Sequence, residues 1–131
     1  MNKALAALAA AGIAATSLIA VAPTASAAGC VTSPIWTGYK APGTVAYKAA
    51  SACSDLNLTY ADDQTIGNWD AYAGFYKNAS GVWTIGSRGY IAIADSSYAL
   101  DNFVLVSDLT PGRAFSVASA SEGGDYVEIT H

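Results

Sequence analysis

From Val31 onward the sequence alternates apolar and polar residues in short runs, and Gly, Pro, Asn or Asp interrupts it roughly every ten to twelve residues. Successive side chains of an extended strand point to opposite faces, so such runs suit half-buried strands and the interruptions suit reversals. Helical periodicity is nearly absent. The pattern predicts an all-β fold: a small antiparallel β-sandwich or barrel of about eight short strands, with no βαβ units.

Residues 31–36 read as a first strand, and Pro34 marks it as an edge because proline cannot donate to a ladder. Residues 40–43 form a turn. Residues 44–48 suit a strand, although the Ala-rich stretch 45–53 also suits a short helix. Residues 56–60 alternate cleanly, 61–68 read as a polar surface loop, and 69–77 form a long alternating strand. A hairpin loop at 78–81 returns the chain into 82–86. Strands at 90–94, 103–107, 114–119 and 126–130 follow, the second apolar on both faces as in a sheet centre. Pro111 and Gly112 stand where a type II turn wants them.

The segment before this body has the three parts of a secretory signal. Asn2-Lys3 opens it, an apolar core runs from Ala4 to Ala22, and Pro23 precedes the small residues Ala25-Ser26-Ala27. Cleavage after Ala27 is expected, leaving 28–131 as a single secreted β domain. A retained anchor is the rival, since the apolar stretch is long enough to span a bilayer. It is mostly Ala, however, and no cluster of positive charge follows. Ala28-Gly29-Cys30 also resembles the end of a lipid-attachment motif, but Ala27 stands where Leu is usual, and acylation would strand Cys53 as a lone thiol. The expected location is therefore extracellular, with no membrane association after cleavage.

Five basic residues remain beyond the leader against ten acidic ones, a net charge of −5. Such a surface repels phosphate backbones and anionic lipid, which argues against a nucleic-acid partner. Two cysteines in an exported chain usually pair. A Cys30–Cys53 bridge would be worth roughly 3 kcal/mol on the chain-entropy account. Metal or redox chemistry at these thiols lacks both a Cys-x-x-Cys spacing and a nearby histidine.

Candidate chemistry is sparse. His131 is the one histidine and the last residue of the sequence, where fraying is expected, so a nucleophilic triad is disfavoured. Paired carboxylates could hydrolyse a glycosidic bond, but most acids fall in predicted turns. Asp62 and Asp63 near Asp70, or Asp95 near Asp101 and Asn102, could gather oxygen ligands for calcium; solvated turn residues are the simpler account. No cofactor is expected.

The aromatic set is the most informative feature: three Trp, eight Tyr and three Phe. With Lys77 opposite Val82 across the hairpin, Tyr76 faces Trp83 and Gly74 faces Ile85. Tyr72, Tyr76, Trp83 and Ile85 then share one face, while Ala73, Phe75, Val82 and Thr84 share the other. If Ala73 and Phe75 pack inward, Tyr72, Tyr76 and Trp83 form a solvent-facing strip suited to stacking on sugars or anchoring a protein. The alternative puts Trp83 and Ile85 in the core with the tyrosines half-buried. Trp69 is a second candidate contact. Arg88, between Ser87 and Gly89 on a tight connection, is a third, suited to a protease-inhibitor loop.

The sequence thus points to a non-catalytic extracellular binding domain for a polysaccharide, cell-envelope or protein ligand. A secreted protease inhibitor and a small carboxylate-dependent hydrolase are the alternatives. Ligand identity and oligomeric state stay open.

Overall fold

The computed structural model describes residues 29–131. The expected leader and its cleavage point lie outside them. Eleven strands occur in chain order: β1 (Thr32–Trp36), β2 (Gly38–Tyr39), β3 (Ala46–Tyr47), β4 (Leu56–Asp62), β5 (Trp69–Lys77), β6 (Trp83–Ile85), β7 (Ile91–Ala94), β8 (Ser96–Ser97), β9 (Val104–Val106), β10 (Ala114–Ser119) and β11 (Tyr126–Thr130). No helix occurs among the described residues. The expected all-β architecture is present, with more and shorter strands at its periphery.

The strands form two sheets. One runs β1-β11-β4-β8, with β9 also on β4; the other runs β2-β10-β5-β6, with β3 on β10 and β7 on β5. All pairings are antiparallel except β2 with β10. β1 lies at the end of its sheet, where Pro34 leaves no interior ladder position unfilled.

The sheets pack face to face because alternate residues on each are apolar. Ile35, Leu58, Ala61, Val127 and Ile129 from the first meet Tyr72, Ile93, Phe115 and Val117 from the second in one buried cluster. Each fully buried large side chain contributes about 1.5–3 kcal/mol of burial free energy. β9 packs across the inner side of β5, with Val104, Leu105 and Val106 all buried, as expected of that apolar run. Gly74 makes this possible: a Cβ there would lie 2.7 Å from Val106 Cγ2 and 2.9 Å from Leu105 Cβ.

The Cys30–Cys53 disulfide forms, with Cα atoms 5.4 Å apart, and ties the start of β1 to the loop before β4. That loop is not the short helix that the Ala-rich stretch allowed. The buried Lys48 ammonium donates to the carbonyls of Ala49 and Cys53, which holds 48–53 as a closed loop. The polar segment expected at 61–68 begins later, because β4 runs on to Asp62 to pair with Tyr126.

The hairpin register differs by one residue from the expected one. Asn78 N–H donates to Val82 O, so Asn78 and Val82 close the hairpin around three residues, not four. Asn78 Oδ1 accepts from the amides of Ser80 and Val82, and Gly81 takes φ +77°. Phe75 therefore pairs with Ile85, Tyr76 with Thr84, and Lys77 with Trp83. A one-residue slip moves every side chain of the returning strand to the other face.

Replacing Gly74 by Ala forces Leu105 and Val106 away from β5. Gly74→Ala is expected to lower stability by about 1–3 kcal/mol, the usual cost of overpacking, read as a lower urea midpoint at unchanged m-value.

Candidate functional site

The expected strip of Tyr72, Tyr76 and Trp83 does not form. Tyr72 points into the core with no exposed surface, and its hydroxyl lies 3.2 Å from Asp125 Oδ2. Tyr76 is half-buried against the core. The register slip places Trp83 and Ile85 on the outer face with Phe75, and the Lys77 ammonium sits 5.4 Å from the Trp83 ring centroid. The alternative holds for Tyr76, which is half-buried, but not for Tyr72, which is fully buried, nor for Trp83 and Ile85, which lie outside the core. Trp69 is exposed, but it pairs with Ala94 at the far end of β5 from Lys77 and Trp83. At the rise of an extended strand that is about 26 Å away. Arg88 is exposed in a reversal closed by Gly89 N–H donating to Gly86 O.

An aromatic group forms instead on the outer face of the first sheet. Trp36, Tyr126 and Asp62 align across β1, β11 and β4, and Pro34, Glu128 and Tyr60 form the next row. The neighbours Ile35, Val127 and Ala61 point inward and are buried, so the alternation turns the rings outward. The Trp36 and Tyr126 centroids lie 5.0 Å apart, and those of Tyr60 and Tyr126 5.9 Å apart. These are favourable tilted and edge-on contacts. Trp36 keeps 51% of its surface in solvent.

Polar groups flank the rings. The Tyr126 hydroxyl donates to Glu128 Oε2 at 2.8 Å. Burial, that bond and the Glu128 charge push the phenol up to about 12, so it stays a donor. Further along, the hydroxyls of Thr32, Thr130 and Thr59 link the three strands at 2.9 and 2.8 Å. Such a surface can stack a flat apolar face and accept or donate to hydroxyls beside it. Sequence reasoning missed it because Trp36, Tyr60 and Tyr126 lie far apart in the chain. The available signal was that each adjoins an inward apolar residue at the end of a strand.

Of the five acids considered for calcium, Asp63 and Asp70 come together, whereas Asp62, Asp95 and Asp101 do not join them. Asp62 lies opposite Tyr126, Asp95 Oδ1 accepts from Asp63 N–H at 2.9 Å, and exposed Asp101 is held through its own N–H to Asn57 Oδ1. Asp63 meets Asp70, as expected, and Asp125, which was not, with one carboxylate oxygen from each within 4.8 Å of the others. Burial and the neighbouring carboxyls push Asp125 up to about 7, against the opposing hydrogen bonds from Gln64 and Tyr72. Burial also pushes Asp63 upward, but hydrogen bonds from the Thr65 hydroxyl and amide and from Asp125 outweigh it and hold Asp63 below its ordinary value.

His131 is not frayed. It is buried, its backbone continues the ladder to Val31, and its ring packs edge-on against Phe115 at 4.8 Å. Nδ1 accepts from Ala49 N–H at 2.9 Å, so the proton resides on Nε2, which donates to Ser33 Oγ at 2.8 Å. That tautomer cannot take a proton from Ser33, so the pair is not arranged as a nucleophile and its base. Burial, with the Lys48 charge adding to it, pulls the imidazole down to about 4.

No family profile, no curated protein and no solved structure matches this chain.

Because the folded imidazole resists protonation, its contribution to stability is complete above the unfolded value near 6.5. It declines as pH falls and is gone below about 4. The lone histidine makes this measurable: its Cε1–H resonance is expected to titrate with a midpoint near 4. A midpoint near 6.5 would contradict the buried, neutral assignment.

Proposed function

We propose that this chain is an extracellular, non-catalytic binding domain that docks a neutral polysaccharide on the outer face of β1, β11 and β4. The observation that carries the reading is the cluster of Trp36, Tyr126 and Tyr60 on an open sheet face, with Trp36 half exposed. Ring faces stack on the apolar faces of sugars, and the rigid sheet sets their spacing before the ligand arrives. Asp62 and Glu128, in the same rows, are placed to accept hydrogen bonds from sugar hydroxyls. The net negative charge favours a neutral chain over an acidic one.

Two features weigh against the other readings. Arg88 stands inside a tight reversal, whereas a protease cleft accepts an extended segment. The carboxylates that converge, Asp63, Asp70 and Asp125, are buried and closed to a substrate as large as a sugar.

Trp36→Ala is expected to weaken retention on the bound polysaccharide at least about tenfold, roughly 1.4 kcal/mol. Tyr60→Ala is expected to weaken it less, and Trp83→Ala and Trp69→Ala not at all. Affinity electrophoresis against a panel of neutral polysaccharides, with pull-down on insoluble ones, reads this directly. Failure to bind any of them, or binding indifferent to Trp36, would remove the proposal.

A further inference from the structure

The buried carboxylates Asp63, Asp70 and Asp125 are 9%, 1% and 0% exposed and come from three separate parts of the chain. Asp63 ends β4's run into its loop, Asp70 is the second residue of β5, and Asp125 directly precedes β11. Burying three such groups together is costly unless something neutralises them. No lysine or arginine among the described residues pairs with them.

Their hydrogen bonds are nearly complete. Asp63 Oδ1 accepts from the amide and hydroxyl of Thr65 at 2.9 and 2.7 Å. Asp125 Oδ1 accepts from Gln64 N–H, and its Oδ2 from the hydroxyls of Tyr72 and Ser119. Asp70 Oδ1 accepts from the amides of Ala71 and Ser121. Of the oxygens of these three carboxyls, Asp70 Oδ2 alone is fully buried with no partner. With Oδ1 tied to two amides, that oxygen is the one Asp70 has left to face the Asp63 and Asp125 carboxyls, which lie within 4.8 Å. A buried polar atom without a partner calls for an explanation.

We propose that Asp63, Asp70 and Asp125 bind a hard divalent cation, Ca²⁺ foremost, with Asp70 Oδ2 as a direct ligand. Calcium takes oxygen donors from separate chain segments without demanding the strict octahedron of Mg²⁺, and water completes its shell. Access lies through the exposed 64–69 segment, where Gly67, at φ +136°, places no side chain over Asp63 Oδ2. This inference does not depend on the polysaccharide reading.

Chelator-treated full-length mature protein, titrated with CaCl₂ alone, tests it by calorimetry and thermal melting. Tb³⁺ serves as a luminescent probe, excited through the nearby tyrosine Tyr72. The expected result is one Ca²⁺ per chain, a saturable rise in melting temperature, and Tb³⁺ emission displaced by Ca²⁺. Asp70→Asn is expected to weaken Ca²⁺ at least about tenfold. In chelator it should melt at or above the unsubstituted protein, because one buried like charge is gone, and that also shows the variant folds. Asp101→Asn should leave binding unchanged. Absence of Ca²⁺ and Tb³⁺ binding at millimolar ion overturns the proposal. So does binding lost through Asp101, or retained in Asp70→Asn.

Discussion

The last strand holds the molecule together. β11 lies between β1 and β4, antiparallel to both, so the two ends of the described chain pair with each other, the last as an interior strand and the first as the edge beside it. Its inward residues Val127 and Ile129 fill the core, and its outward residues Tyr126 and Glu128 complete the aromatic face. The residues at its borders reach further. Asp125 enters the buried carboxylate cluster, and His131 packs on Phe115 of the opposite sheet. Without this pairing neither surface nor cluster would exist, because none of their members is held by local structure alone.

The aromatic face and two of the three clustered carboxylates are consecutive along β11 and β4, while Asp70 reaches the cluster from β5 of the other sheet. Trp36, Tyr126 and Asp62 form one cross-strand row facing solvent. Asp125 and Asp63, one residue from Tyr126 and Asp62, turn inward. The two-residue period of a strand thus sets a wet, ring-lined surface directly beside a buried acidic one. Thr37, the residue after Trp36, bonds Asp125 through its backbone and hydroxyl, which fixes the end of β1 against the cluster. The second sheet is less open in its middle: Gly43 and Thr44 bridge to Ser116, and Ser116 and Ala118 are fully buried although they point away from the core.

Much of the fold is legible in local sequence. The limits of β5, β10 and β11 follow from alternation bounded by turn residues, and the Cys30–Cys53 bridge follows from two cysteines in a chain read as exported. The edge position of Pro34 follows from its missing N–H. The candidate site was not legible in the same way. The hairpin at Asn78 looked like a four-residue loop, yet the Asn78 side chain bonds its own loop and closes it one residue tighter. That single difference transferred Trp83 to the other face. The fate of His131 was equally hidden, since its partners Ser33, Ala49 and Phe115 are remote in the chain.

The amino-acid sequence by itself determined the longer strands, most of the turns between them and the cross-link, because each depends on residues within a few positions or on a count of two. Tertiary structure alone decided which rings share a surface, which acids meet and how the histidine is protonated. Those outcomes depend on strand order and register. Register is selected by packing of the whole core, where a shift of one residue exchanges inside for outside.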